Sequence, residues 1–148
     1  MFKLQRILVA TDFSRHSQAA LEYAAALAKP FQAEVVLCHV VEKPDFLSGF
    51  PPVSEGYLPP NLGDLQRQHA QKEGAAALQK AGVTHGRVVL PEGNPAVETV
   101  NTAKSEGADL LVVGTHGRSA LTHLLLGSVA EKIVRTATCP VLTVRGVS

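Results

Sequence analysis

Three glycines and a serine carry the residue types and spacing best suited to chemistry in this chain. Gly114, Gly117, Gly127 and Ser128 follow the order glycine, two residues, glycine, nine residues, glycine and a hydroxyl residue. Glycine lacks a Cβ and tolerates positive φ, so its amide can turn toward a ligand that other residues would hold off. Gly127-Ser128 runs into Val129-Ala130-Glu131, which reads as a helix start, where unpaired amides and the helix dipole favour an anion. The chemistry that fits is phosphate binding. A plainer reading uses the same residues: Gly114 ends a strand, Gly127 opens a helix and Ser128 caps it. Spacing alone does not choose between the two. Neither the Walker A loop nor G-x-G-x-x-G is present, so the commonest phosphate-binding fingerprints do not apply.

The elements around the loop read as alternating strands and helices. Arg6-Ile7-Leu8-Val9-Ala10 is apolar without alternation, as expected of a strand covered on both faces. A helix follows, capped by Ser14 or Ser17, with an inward stripe at Ala20, Tyr23, Ala24, Leu27 and Ala28 and a stop at Pro30. A second strand spans Ala33 to Val41. The stretch from Glu42 to Pro60, rich in proline, glycine and serine, predicts a long mobile connection. It is not read as a domain boundary, because the segment before it is too short to build its own core.

A second helix spans Leu62 to Ala81, with Leu65, Ala76, Ala77 and Leu78 facing the sheet and Gly82 closing it. Arg87-Val88-Val89-Leu90 is a third strand. Asn94-Pro95 opens a third helix by cap and first-position proline; Ala96, Val100 and Ala103 mark its inner face, and Gly107 ends it. Asp109 to Val113 is a fourth strand. Ser128 at the N-cap and Glu131 at N3 spell a capping box for a fourth helix with an apolar face at Ile133, Val134 and Ala137. A fifth strand runs from Pro140 to Val144. This pattern predicts one domain over residues 1–148: a three-layer α/β/α sandwich around a five-stranded, mostly parallel, Rossmann-like sheet. Ligands of such folds sit beyond the carboxyl ends of the strands, where strand order reverses, so the loops after Ala10, Val40 and Val113 matter most.

Bulk properties narrow the classes of partner. Fourteen Lys and Arg oppose thirteen Asp and Glu, a net charge of +1, so no broad field recruits nucleic acid or an anionic membrane. The first residues enter a strand without the features of a signal peptide, and no apolar run approaches membrane-spanning length. These features predict a soluble cytoplasmic protein. Cys38 and Cys139 suit a reducing compartment and read as small buried hydrophobes. Cys38 and His39 point to opposite faces of a strand and do not share a metal. His16, His69, His85 and His123 show no ligand spacing and are read as surface residues.

With its flanking segments, the glycine motif resembles the ATP-binding motif of the universal stress protein family. The likeness covers nearly the whole chain: Ile7 to Ser14, Leu37 to Val41, Gly93-Asn94-Pro95-Ala96 and Cys139 to Arg145 resemble the family's opening strand and loop, second strand, third-helix entry and ending. The resemblance implies the fold known as adenine nucleotide alpha hydrolase-like, with ATP, ADP or AMP across the carboxyl edge of the sheet. It places Ala10, Thr11 and Asp12 on the ribose side, the Val40 backbone at the adenine and Gly114 against the sugar. His116, Gly117, Arg118, Gly127, Ser128, Val129 and Ala130 would surround the phosphates. Asp12 is the natural acceptor for ribose hydroxyls or a ligand for Mg²⁺ or Mn²⁺, with a solvated helix-leading aspartate as the alternative. Arg118 either pairs with phosphate or is solvated.

Three functions compete. The first is a binding module that senses an adenine nucleotide in stress response or signalling. The second is a slow ATPase or self-phosphorylating protein, with Ser119, Thr122 or Ser128 as acceptor. The converging base, arginine clamp and water-positioning group of efficient phosphoryl transfer are not recognisable, and His116 has no companion acid, so no catalytic residue is assigned. The third is a dimeric interaction protein with an empty cleft. The apolar last strand, Val141 to Val144, invites edge pairing with a second copy, and the family resemblance also implies a homodimer.

Overall fold

The computed structural model describes residues 2–42, 62–115 and 126–145. Most of the predicted mobile connection, and His116, Gly117, Arg118, Ser119, Thr122 and His123, lie outside the described residues. The described elements are β1 (Arg6–Ala10), α1 (Arg15–Phe31), β2 (Glu34–Cys38), α2 (Leu62–Lys80), β3 (Gly86–Val89), α3 (Pro95–Ser105), β4 (Leu110–Gly114), α4 (Ser128–Thr136) and β5 (Val141–Val144). They form the expected α/β fold, and every strand pairing is parallel.

The strand order is β3-β2-β1-β4-β5. The chain steps outward from β1 to β3, crosses back beside β1 through α3, then steps outward the other way. Strand order therefore reverses between β1 and β4, which places the topological switch point at their carboxyl ends. Alternation within each strand sorts the core into two layers. Ile7, Val9, Val35, Leu37 and Val112 meet Ala20, Leu21, Ala24 and Ala28 of α1 and Leu78 of α2. Leu8, Val36, Cys38, Leu111 and Val113 meet Ala96 and Ala103 of α3 and Ala130 and Ile133 of α4. Both faces of the sheet are thus covered, which is why the central strands read as unbroken apolar runs.

Several helix expectations need correction. Pro30 lies inside α1, which runs one residue further and closes at Gln32 in the left-handed region, with the Gln32 amide donating to the carbonyls of Ala28 and Lys29. The sheet-facing stripe of α1 is made of small residues with Leu21, while Tyr23 and Leu27 lie on its exposed flank. In α2 the buried positions are Ala70, Gly74 and Leu78; Leu65 and Ala76 are exposed. Val134 of α4 is exposed as well. The second strand is shorter than Ala33–Val41, ending at Cys38 with a further isolated bridge from Val41 to Glu92. The fifth strand begins at Val141, after Pro140.

Asn94 caps α3 as expected, its Oδ1 accepting from the amides of Ala96 and Val97 at 3.1 Å each. Gly82 and Gly107 follow α2 and α3 with φ of 76° and 65°. No described helix is long and apolar enough to cross a membrane.

Candidate functional site

The turn after β1 is held by its own short polar side chains. The Thr11 amide donates to the Cys38 carbonyl at 2.9 Å, extending the β1–β2 ladder by one step. Asp12 then folds the chain back: its Oδ1 accepts from the Ser14 amide at 2.9 Å and from the Ser17 hydroxyl at 3.0 Å. The Thr11 hydroxyl accepts from the Phe13 amide at 3.0 Å. Ser14, one of the two expected caps, is the N-cap of α1 and accepts from the Ser17 amide at 3.3 Å. Between them Phe13 takes φ 63°, a left-handed conformation that costs a residue with a side chain on the order of 1 kcal/mol. The Asp12 carboxylate is thereby fixed at the end of β1 by a turn whose geometry is fully specified.

Beneath this turn lies His39, half-buried at the end of β2. Its Nδ1 is 3.0 Å from the Thr11 carbonyl, and its ring packs against Phe13 with centroids 4.4 Å apart and planes tilted by 33°.

On the other side of the switch point, β4 ends at Gly114. A Cβ there would come within 3.2 Å of the His16 carbonyl oxygen, so glycine lets the end of β4 approach the first turn of α1. The next residue, Thr115, is buried; its amide donates to the Val144 carbonyl at 2.9 Å, and its carbonyl accepts from the Gly127 amide at 2.6 Å. That last bond pins the start of α4 to the end of β4. It also corrects the expected capping box. Gly127 is the N-cap, with no side-chain cap bond, and Ser128 is the first helical residue with an exposed side chain. Glu131 falls one place too far along to close a box, and it pairs with Arg135 one turn on. A helix start without a side-chain cap leaves its first amides, those of Ser128, Val129 and Ala130, oriented outward along the axis. Ala130 has a buried methyl, so only its backbone can serve a ligand.

Val40 and Ala10 complete the edge. In β2 and just beyond it, the amides of Val35, His39 and Val41 donate toward the β3 side, to the carbonyls of His85, Val89 and Pro91. Backbone groups alternate sides in a parallel strand, so the polar groups of Val40 face the β1 side. There β1 has already turned away at Asp12. Ala10 is half-buried and packs against the α3–α4 side of the core, as the Val40 side chain does.

The structure therefore brings Thr11, Asp12, Gly114, Gly127, Ser128 and Val129 to the carboxyl edge around the switch point, with Val40 one strand away. Chemically, this edge offers an outward helix dipole, backbone donors and one carboxylate, a combination suited to an anion and a polyol. The Asp12 carboxylate, which accepts from the Ser14 amide and the Ser17 hydroxyl, is the charged side chain held at this turn. A carboxylate is a hard oxygen donor of the kind that Mg²⁺ or Mn²⁺ takes when phosphate oxygens supply further ligands. Among the described residues no group of three His, Cys, Asp or Glu gathers to hold a metal without such help.

The opposite edge differs. A groove of about 530 Å³ lies there between α1 and the turn after α2, at the ends of helices whose last carbonyls are taken by the amides of Gln32, Ala33, Gly82 and Val83. Helix carboxyl ends do not favour an anion. The cysteines offer no reactive thiolate: burial pushes the Cys38 thiol up to about 11 and also raises that of Cys139. His69 and His85 are exposed, as expected, whereas His16 is half-buried. The sequence offered Ser17 only as a cap and His39 only as a dismissed metal ligand, and it assigned no role of their own to Phe13 and Thr115. The short polar run Thr11 to Ser17 hinted at Ser17, but nothing local marked the other three.

The universal stress protein family model matches residues 3–145. The chain is 38% identical to the universal stress protein YxiE of Bacillus subtilis, over 95% of this chain and 98% of that protein. Among solved structures it is similar to the Methanocaldococcus jannaschii protein MJ0577, with a TM-score of 0.82, 27% identity and 98% of each chain covered. It is also similar to a universal stress protein in complex with cAMP, with a TM-score of 0.70 and 27% identity, covering 97% of this chain and 98% of that one.

Proposed function

Because the chain belongs to the universal stress protein family, we propose that it binds an adenine nucleotide, ATP foremost, at the carboxyl edge of its sheet and acts as a nucleotide-dependent module in stress response or signalling. One observation carries this reading. The start of α4 lacks a side-chain cap and is pinned by the Gly127–Thr115 bond beside the switch point, across from the Asp12 carboxylate. Anions favour such a helix start, and the Ser128 hydroxyl, freed from capping, adds a donor. Asp12 and Thr11 take the ribose side, Ala10 lines it, the Val40 backbone meets the adenine, and Gly114 lies under the sugar. Gly127, Ser128, Val129 and Ala130 hold the phosphates, with His116, Gly117 and Arg118 completing that group by family resemblance. Asp12 would help hold Mg²⁺ or Mn²⁺ carried with the nucleotide, and the cation would supply positive charge to offset that of the phosphates. The cAMP complex of a relative supports a nucleotide ligand for this fold; the glycine motif with its hydroxyl is what favours a polyphosphate.

In this reading residues 1–148 act as one cytoplasmic domain. Two copies pair through β5, which stands at the end of the sheet order with β4 on one side. Light scattering at micromolar concentration should give the mass of two chains; a mass near one chain refutes the pairing. The nucleotide reading is tested by denaturing the purified protein, identifying released nucleotide by mass spectrometry, and titrating emptied protein with ATP and Mg²⁺ in a calorimeter. Saturating ATP that neither raises the melting temperature nor gives binding heat sinks it.

A further inference from the structure

We propose that His39 is a positioning residue of this site: its Nδ1–H and its ring together hold the Thr11–Asp12–Phe13 turn in the one geometry that aims Asp12. The proposal rests on the nucleotide reading for its functional meaning and on the turn's geometry for its structural content. A carbonyl oxygen can only accept, so the 3.0 Å contact between His39 Nδ1 and the Thr11 carbonyl places a hydrogen on Nδ1. The ring meanwhile packs against Phe13. Phe13 is the turn residue with φ 63°, and a conformation of that kind persists only where its surroundings enforce it.

His39 supplies two such constraints from one side chain, on consecutive parts of the turn. It acts from the sheet, since its own amide is bonded to the Val89 carbonyl at 3.1 Å. A group set on a strand positions a loop more accurately than one set on the loop itself. The orientation of Asp12 depends on this turn, because Oδ1 accepts from the Ser14 amide just beyond Phe13. His39 therefore acts on the ligand only through Thr11 and Phe13. The arrangement also accounts for a polar ring at a position whose strand neighbours on the same face, Val35 and Leu37, are fully buried hydrophobes.

Three substitutions separate the two contacts. His39→Asn keeps a donor near the place of Nδ1 and loses the ring; His39→Phe keeps a ring for Phe13 and loses the donor; His39→Ala loses both. Amide hydrogen exchange by NMR reads the turn directly, and ATP titration with Mg²⁺ reads the site. In His39→Ala the exchange of Phe13 and Ser14 amides should accelerate about ten-fold, while β1 and β4 amides stay protected. ATP affinity should fall about ten-fold, and His39→Asn and His39→Phe should each recover part of it. In a Phe13→Gly background, where positive φ carries no strain, the effect of His39→Ala on affinity should shrink. Unchanged exchange at Phe13 and Ser14 in His39→Ala overturns the proposal whether or not ATP binds. Accelerated exchange with unaltered affinity in a protein that does bind ATP overturns its functional half. Absence of ATP binding by the unsubstituted protein refutes the nucleotide reading and with it that half, and the exchange measurement still decides whether His39 holds the turn.

Discussion

Gly114 and His16 approach so closely that a methyl group on the glycine would stand 3.2 Å from the His16 carbonyl oxygen and 3.4 Å from its carbonyl carbon. Both atoms are backbone in the first turn of α1, so no side chain can swing aside. Gly114→Ala must push the end of β4 from α1 by a few tenths of an ångström. The expected cost is about 1–2 kcal/mol in denaturant unfolding with an unchanged m-value. The shift also reaches Thr115, which anchors Gly127, so nucleotide affinity should fall in the folded variant. An unaltered unfolding midpoint would show that the interface accommodates the methyl.

Ser128 separates a cap from a ligand contact. Removing a serine N-cap costs roughly 1 kcal/mol of stability, but Gly127 holds the cap position here and makes no side-chain cap bond. Ser128→Ala should therefore leave the melting temperature of the nucleotide-free protein unchanged. Its ATP dissociation constant should rise about five-fold, the value of one hydrogen bond. The opposite pattern, lowered melting temperature with unchanged affinity, would restore the capping box and remove Ser128 from the site. Asn94→Ala is the control: Asn94 does cap α3 through two amides, and its loss should cost about 1 kcal/mol with no effect on ATP.

That contrast shows what could be read before the fold was known. The strands were legible because both faces of the sheet are covered, and Ile7 to Val9 or Leu111 to Val113 have no solvent side to record as alternation. Gly114 at the end of a strand and Gly127 at the start of a helix were legible because their immediate neighbours mark them. The cap was not, because Gly127 rather than Ser128 is set by the bond to Thr115, a partner twelve positions back. Tyr23 and Leu27 looked inward because they extend the apolar stripe of α1, yet α1 packs on the sheet through alanines, and a stripe of small residues is narrower than hydrophobicity suggests. The Phe13–His39 pair was illegible for a similar reason: residues 26 apart in sequence meet only because β1 and β2 are neighbours.

Asp12→Asn tests the proposed cation. Asparagine keeps an acceptor oxygen for the Ser14 amide and the Ser17 hydroxyl, so the turn and the start of α1 should survive with little loss of stability. The charge disappears, and the second carboxylate oxygen gives way to an amide nitrogen that only donates. If Asp12 meets Mg²⁺ carried by ATP, the variant should lose most of the gain in affinity that Mg²⁺ gives the unsubstituted protein. Titrations with Mg²⁺ and with EDTA, on both proteins, measure that gain. An equal gain in both places the cation away from Asp12.

Away from the site, a cluster of charges ties the amino ends of the strands. Arg87 bonds Glu106 and Glu34, Arg6 bonds Glu34 at 2.9 Å, and His85 Nε2 lies 3.7 Å from Glu34. Burial raises the Glu34 carboxyl, but the hydrogen bonds and charges of Arg87 and Arg6 outweigh it and hold the group below its ordinary 4.5. The hydrogen bond from Arg87 lowers Glu106 in the same way, against a smaller opposing effect of burial. A carboxyl depressed on folding stabilises the native state above its unfolded value and loses that contribution as pH falls through the lower, folded value. Glu106→Gln should thus be less stable than the parent by about 0.5–1 kcal/mol at neutral pH, a small figure because Arg87 is substantially exposed to solvent. The difference should hold at neutral pH and close as pH falls below the ordinary carboxyl range, where the parent's own carboxyl, held low by Arg87, takes up its proton. It should also shrink in 0.5 M salt, by screening of a partly exposed pair. Urea unfolding at pH 7 and pH 3 on both proteins measures it. A gap of constant size at every pH and salt would mean that Glu106 contributes packing of its stem rather than charge.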